Sequence, residues 1–482
     1  MVYLVTIMLY LGILIAMGVV KSRKIKTQSD FAVAGRSLSP WVLVGTMLAT
    51  WVGTGSILGN AGKAYEIGLA GLLLPLGGVC GVAVLTQIAD KVRGIEKFTV
   101  PEIIGDRYGQ TARVLSVIAL VAAYMVIVSY QYNAGGAVLH TVLTDDAGQS
   151  MLSLEVCTLI AVTVIILYTM LAGLVSVAYT DVANGVIMTL SFMIALPILW
   201  HTAGGWSGME EAFAATGRES HMQIWGVYST FDFINFMLPP FLLAMGDANM
   251  YQRFSAATSS KGAKTATMFL VVAVIFIEGA IISSAWISSS MIENAENGRH
   301  VLIYASHRYL PTFLGAIMLT TMVGIIISTA DSFLLVPSTT LMRDVYLQYI
   351  NPDADDRKIV LLSRLLVLAL GIVAYVVSLG FAQSATFFDK ALYAYTIYGA
   401  AITPSLVAAF FWKRATGAGA VASITAGTVV TLLWKEAGFV QDLVPAAIYQ
   451  NCDAVLPAIF TSMLCLVGVS LATAKPERQT EA

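Results

Sequence analysis

A helix needs about 20 consecutive apolar residues to cross a bilayer, and in lipid only structures that satisfy every backbone polar group internally can span it. This chain of 482 residues carries thirteen such stretches, at 2–20, 40–60, 67–89, 114–143, 152–173, 175–199, 231–250, 266–290, 311–337, 361–381, 391–412, 417–436 and 453–474. They leave little sequence over for anything else. The expectation is an all-α, polytopic membrane protein of about thirteen transmembrane helices, numbered here as spans 1 to 13. Charged residues make up 12% of the chain, about half the roughly 25% usual in soluble domains. A soluble enzyme, a nucleic-acid-binding module and a disordered scaffold are excluded, since each needs a polar or strongly charged surface. A net charge of −2 offers no field to hold nucleic acid. Cys80, Cys157 and Cys465 lie within apolar stretches, and none of the four cysteines forms a C-x-x-C pair, so no disulfide framework is expected.

The basic residues orient the chain. Lys21, Arg23, Lys24 and Lys26 follow the first span and none precedes it, so it reads as a retained helix rather than a signal peptide. With the N-terminus outside and the C-terminus cytoplasmic, most lysines and arginines fall on the cytoplasmic side, as the positive-inside rule requires of a cell-membrane protein. They include five at 90–113, Arg253, Lys261 and Lys264, four at 341–364, Lys413 with Arg414, and Lys475 with Arg478. The other side keeps Lys63, Arg218, Arg299, Arg308, Lys390 and Lys435. No Pro/Ser/Gly-rich linker divides the spans. One transmembrane domain is expected over 1–482, with 2–39 as a peripheral first helix and loop and 417–482 as peripheral C-terminal helices and tail.

Two spans are interrupted. Span 2 contains Ala49-Thr50-Trp51-Val52-Gly53-Thr54-Gly55-Ser56, and span 7 contains Pro239-Pro240 followed by Gly246-Asp247-Ala248-Asn249. Matching breaks in corresponding spans point to the binding site of a transporter built from repeats. The spacing of five spans is odd, so the halves run in opposite directions, with 40–199 as the first repeat and 231–412 as the second. Glycines that merely let helices pack closely are the plainer reading of span 2 alone. An unwound segment at membrane depth is tolerated where it is buried or lines a wet cavity, and its freed carbonyls suit a small hard cation such as Na⁺.

Carboxylates inside apolar spans each need a reason, at about 2.5–3.5 kcal/mol apiece on insertion scales. Asp181, Asp247, Glu278 and Asp331 are the four. Glu278, alone in an apolar run, reads as a helix–helix hydrogen bond. Asp181 reads equally as a helix cap or as something more. In span 9, residues 325, 328, 329 and 332 fall within about 100° on one helix face, and three of them, Ser328, Thr329 and Ser332, are hydroxyl residues. One hydroxyl would be explained by bonding back to the preceding turn; three beside a carboxylate read as a cation site. Asp331 stands about 60° off that face and either supports the site or orients a neighbouring helix. Trp51, mid-span beside Gly53, is placed to stack on a solute or cation. The phenols of Tyr130, Tyr132, Tyr393, Tyr395 and Tyr398 read as packing. The five histidines sit at span ends or in loops, and no phosphate loop, metal cluster or nucleophile elbow is present.

Four of these segments together resemble the sodium:solute symporter family over nearly the whole chain: Ala49 to Gly53, Gly173-Leu174 to Tyr179-Thr180-Asp181, Tyr251-Gln252-Arg253, and Ser328-Thr329-Ala330-Asp331-Ser332. In motif they look most like the high-affinity choline transporter branch; sodium/proline and sodium/galactose symporters share the frame more loosely. The resemblance implies a thirteen-helix, leucine-transporter-type five-plus-five inverted repeat. It implies a sodium site from the carbonyls of Ala49, Val52 and Ile325 with the hydroxyls of Ser328 and Thr329, and in some members a second sodium near the position of Asp181. It places Trp51 in an aromatic cage, whose span 7 tryptophan is replaced here by Asp247, a departure from choline recognition.

The expected function is Na⁺-coupled symport of a small organic solute, with an amine, a zwitterion or an amino-acid-like molecule favoured. Na⁺ is the coupling ion, and the solute contacts Trp51, Gly53, Thr54 and Asp247. No catalytic constellation and no nucleic-acid partner are expected; the partners are the solute, sodium and the lipid bilayer. The alternatives are proton coupling through Asp181, Asp247 or Asp331, or a non-transporting solute receptor or passive channel.

Overall fold

The computed structural model describes residues 2–22, 25–144, 150–293, 298, 300–381 and 386–474. Arg23, Lys24, Arg299, Lys475 and Arg478, counted above for orientation, lie outside the described residues. Every one of the thirteen apolar stretches falls on helix. Among the described residues, nine single helices are long and apolar enough to cross a membrane, and one bent pair, Pro40–Trp51 with Gly55–Leu73, joins them with a 50° turn.

The remaining passes come from helices that are shortened or fused. Spans 5 and 6 form one run, Leu154–Thr202, of 49 residues. Straight, it would extend roughly 74 Å, more than twice the hydrocarbon core. It turns at Gly173 (φ 56°, ψ 171°), where a Cβ would also come within 2.8 Å of Ile25. Span 7 is Thr230–Gly246 followed by Ala248–Ala256, parted at Asp247. Span 3 begins as tight turns over Gly68–Leu73 and becomes a regular helix at Leu76–Leu85. Helix starts follow local chemistry. Ser39 caps ahead of Pro40, Ser229 and Asp232 form a capping box, and the Thr386 hydroxyl accepts from the Asp389 amide.

Apolar residues from nearly every span pack into one continuous core. Span 9 lies at its centre, with 83% of its apolar window buried against 17% for span 1. Large apolar side chains left exposed, such as Leu9, Ile13, Ile372, Val376, Phe460 and Leu464, lie outside that core. Several basic segments meet on one rim. Arg93 Nε donates to Ala257 O at 2.6 Å, Arg107 Nη2 to Lys413 O at 2.8 Å, and Arg343 lies 3.4 Å from Glu102.

Arg253 departs from the expectation. Far from standing in a loop with Lys261 and Lys264, it is fully buried within Ala248–Ala256. Hydropathy ends span 7 at residue 250 because the next turn is polar. That turn is enclosed by protein, and a polar half-helix in a protein interior has the same average hydropathy as one in water.

Candidate functional site

Spans 2 and 9 cross where span 2 comes undone. Pro40–Trp51 ends at Val52, whose backbone is extended (φ −76°, ψ 104°). Gly53 lets span 9 approach, since a Cβ there would lie 2.9 Å from Thr329 Cγ2. The Ser328 hydroxyl lies 3.4 Å from the Ala49 carbonyl oxygen, and Thr329 Oγ1 lies 3.5 Å from Ala49 O and 3.2 Å from Val52 O. These separations are long for O–H···O bonds, which cluster near 2.7–2.8 Å. They match the edge of an octahedron of oxygens, about 3.4 Å, around a hard cation held at about 2.4 Å. Ile325 stands one turn before Thr329 on the same helix and is buried. Four of the five expected sodium ligands therefore meet directly, and the fifth is one helical turn away.

Behind them lies a charged support. Asp181 sits well inside its helix, past the turn at Gly173, so it is not an N-terminal cap. Its Oδ1 accepts from Ser328 Oγ, and its Oδ2 accepts from Thr46 Oγ1 at 2.5 Å and from Arg253 Nη2 at 3.3 Å. The Arg253 guanidinium also donates to Thr46 Oγ1 at 3.0 Å, Ser332 Oγ at 2.8 Å and the Asn249 carbonyl at 3.4 Å. Sequence reasoning missed this arginine as a site residue, although it lies in one of the four family-like segments. Asp331 is adjacent and buried; Ser332 reaches its Oδ1 at 3.4 Å, and its Oδ2 has no hydrogen-bond partner.

On the other side of the span 2 break is a cavity with about 780 Å³ of empty space including its mouth. Trp51, Gly53, Asp247 and Thr329 line it, as does Glu278. Thr54, expected to meet the solute, does not. Its side chain is fully buried and bonds to Gln131 Oε1, which also accepts the freed Thr54 amide at 3.3 Å. Gln131 thus satisfies the break, a role that nothing in its spacing signals. Asp247 caps the second half of span 7. Tyr124 Oη at 2.6 Å, the Asn249 amide at 3.0 Å and Asn249 Nδ2 at 3.2 Å all donate to its Oδ1. Glu278 does make the expected helix–helix bonds, accepting from Ser56 Oγ and from Asn60 Nδ2 at 3.3 Å. It faces the cavity as well, which its sequence context did not suggest. Tyr130, Tyr395 and Phe333 join the lining; they had read as packing or had drawn no notice.

Helices broken around a cavity, with an ion-sized cluster of oxygens beside it, define a secondary transporter of the leucine-transporter type. Solved structures share the architecture. A Na⁺-coupled sialic acid symporter superposes with a TM-score of 0.82 at 15% identity, over 98% of each chain. A nucleobase-cation-symport-1 family transporter does so at 0.60 and 11% identity, over 92% of this chain and 95% of the other. The chain belongs to the sodium:solute symporter family, whose profile matches residues 31–427. It is 25% identical to the high-affinity proline transporter of Bacillus subtilis (strain 168), covering 93% of this chain and 94% of that one. It is 22% identical to the sodium/proline symporter of Escherichia coli (strain K12), covering 99% and 96%. The protein is a multi-pass membrane transporter that moves a small organic solute together with Na⁺, and it is not an enzyme.

Proposed function

We propose that the transported solute carries an amine or ammonium group, alone or as part of a zwitterion, and that Asp247 receives it. The observation that carries this reading is the state of the Asp247 carboxylate. All three of its hydrogen bonds land on Oδ1, while the residue lines the cavity. No lysine, arginine or histidine is among the described lining residues. A buried carboxylate with a free oxygen calls for a cation. Trp51 offers an aromatic face to the same cation.

Sodium in this reading occupies the crossing of spans 2 and 9, on the carbonyls of Ala49, Val52 and Ile325 and the hydroxyls of Ser328 and Thr329. Thr329 belongs to both the ion site and the cavity wall, and Gly53 in that wall packs against it, so ion and solute order the same stretch of structure. Asp181 orients Ser328 from behind. A second sodium in this reading would sit near Asp181, whose Oδ2 also accepts from Arg253 Nη2 at 3.3 Å. The repeats run over 40–199 and 231–412. The protein lies in the cell membrane with the basic rim and the C-terminus in the cytoplasm and the N-terminus outside.

Uptake in proteoliposomes tests the reading. Accumulation of a labelled amine or zwitterion should require an inward Na⁺ gradient. Asp247→Asn should weaken solute binding far more than sodium binding. The reading fails if the solute proves to be a neutral sugar or a plain carboxylate, or if the variant keeps full affinity.

A further inference from the structure

The cavity holds a second carboxylate that the amine reading leaves unused. Glu278 comes from span 8 and is 1% exposed. Its oxygens accept from the Ser56 hydroxyl and the Asn60 amide. These donors are neutral, as are those on Asp247, so they orient the two carboxylates without removing their charge. Tyr130 and Tyr395 line the same cavity. Asp247 and Glu278, from the neighbouring spans 7 and 8, therefore both face one cavity.

The nearby cations are committed elsewhere. Arg253 is bound to Asp181, Thr46 and Ser332. Lys63 approaches the Phe236 ring but is paired with Glu66 at 2.9 Å. Lys390 stands over the Phe387 ring, outside the described cavity lining. Arg253 is hydrogen-bonded to Asp181, whereas the hydrogen bonds described for Asp247 and Glu278 come from neutral groups. Asp247 and Glu278 are left facing the solute. A solute with one positive charge leaves one carboxylate buried and unanswered, which is costly at low dielectric. The wall between them is aromatic, from Trp51, Tyr130, Phe236, Phe333, Phe388 and Tyr395, and suits a short apolar linker flanked by ammonium groups.

We propose that this site takes a solute with two cationic nitrogens joined by a short apolar linker, a diamine, one end held by Asp247 and the other by Glu278. This rests on the amine reading above and narrows it.

Binding to the purified full-length protein in nanodiscs with saturating Na⁺ tests it, using putrescine as the diamine probe and n-butylamine as its monoamine twin. Putrescine should bind at least tenfold more tightly, a difference of about 1.4 kcal/mol. Glu278→Gln should erase that advantage while leaving n-butylamine affinity unchanged. If n-butylamine binds and putrescine binds no better, the diamine assignment falls and the amine reading stands. If neither binds, the diamine assignment falls, and the amine reading is decided by the Asp247→Asn test above. A series of diamines from three to six carbons on the wild-type protein gives a check that needs no variant. Two fixed carboxylates demand an optimum length, and a flat series overturns the proposal.

Discussion

The breaks in spans 2 and 7 free the same chemical group, a backbone carbonyl at membrane depth, and the protein treats the two in opposite ways. In span 7 the carbonyls of Leu242, Met245 and Gly246 accept from Thr403, Tyr251 and Tyr398 at 2.8, 3.0 and 2.8 Å. In span 2 the carbonyls of Ala49 and Val52 face Ser328 and Thr329 at 3.2–3.5 Å. The first break is closed by protein. The second is held open at a spacing that an ion fits and a hydroxyl fills poorly. On the proposed reading, repeats that match in outline divide the work: span 2 presents oxygens to sodium, and span 7 presents a carboxylate, Asp247, to the solute. Strong donors at one break and weak ones at the other decide which is which.

The largest expected effect tests what holds the loose break in place. Arg253 and Asp181 are 0% and 1% exposed in their side chains. Removing one partner of such a pair costs about 3–5 kcal/mol, because the other charge stays buried without an answer. Arg253→Gln should sharply lower Tm in nanodiscs, and adding Asp181→Asn should recover most of the loss. A single variant as stable as wild type would show that the pair does not support the break.

Next comes the ion. Replacing Ser328 and Thr329 together by alanine should raise the sodium concentration for half-maximal uptake at least tenfold, about 1.4 kcal/mol, in a protein that still folds. Unchanged sodium dependence would move the ion away from this crossing and dissolve the contrast between the breaks.

The smallest effect sharpens the same contrast from the other side. Tyr398→Phe and Thr403→Val each leave a span 7 carbonyl short of one donor, at about 0.5–1.5 kcal/mol of stability. Sodium half-saturation should not change in either. A shift as large as that of the Ser328/Thr329 pair would mean that the two breaks act as one.

Much of this was legible before any coordinates. Gly53 and Gly246 mark the breaks because glycine interrupts an otherwise apolar helix without a compensating side chain, whereas Pro239 and Pro240, expected to share in the span 7 break, lie inside the continuous helix Thr230–Gly246. The hydroxyl face of span 9 is legible because a helix advances by a fixed angle per residue, so Ser328 and Thr329 share a face whatever surrounds them. Other residues were opaque for equally physical reasons. Gln131 looks like one polar residue among many in span 4, yet it holds the Thr54 amide. Thr54 lies beside two solute-facing residues in sequence, and the local turn aims it at Gln131 instead. Arg253 is hidden by its own polarity, since window averages do not distinguish a protein interior from water.

What the sequence determined by itself is an all-helical, multi-pass chain, two of its breaks and the face of span 9 that carries hydroxyls, because those follow from chain-local rules of burial and helical period. The tertiary structure alone decided the pairings: Ser328 with the Ala49 carbonyl, Arg253 with Asp181, Asp247 and Glu278 on one cavity. Each joins residues from separate spans, the first two pairs 279 and 72 positions apart. A local pattern states what a side chain can offer. Only the packing of spans from opposite repeats states which charge, ion or carbonyl it meets, and in a membrane interior that choice sets the chemistry, since no water is present to answer a group left alone.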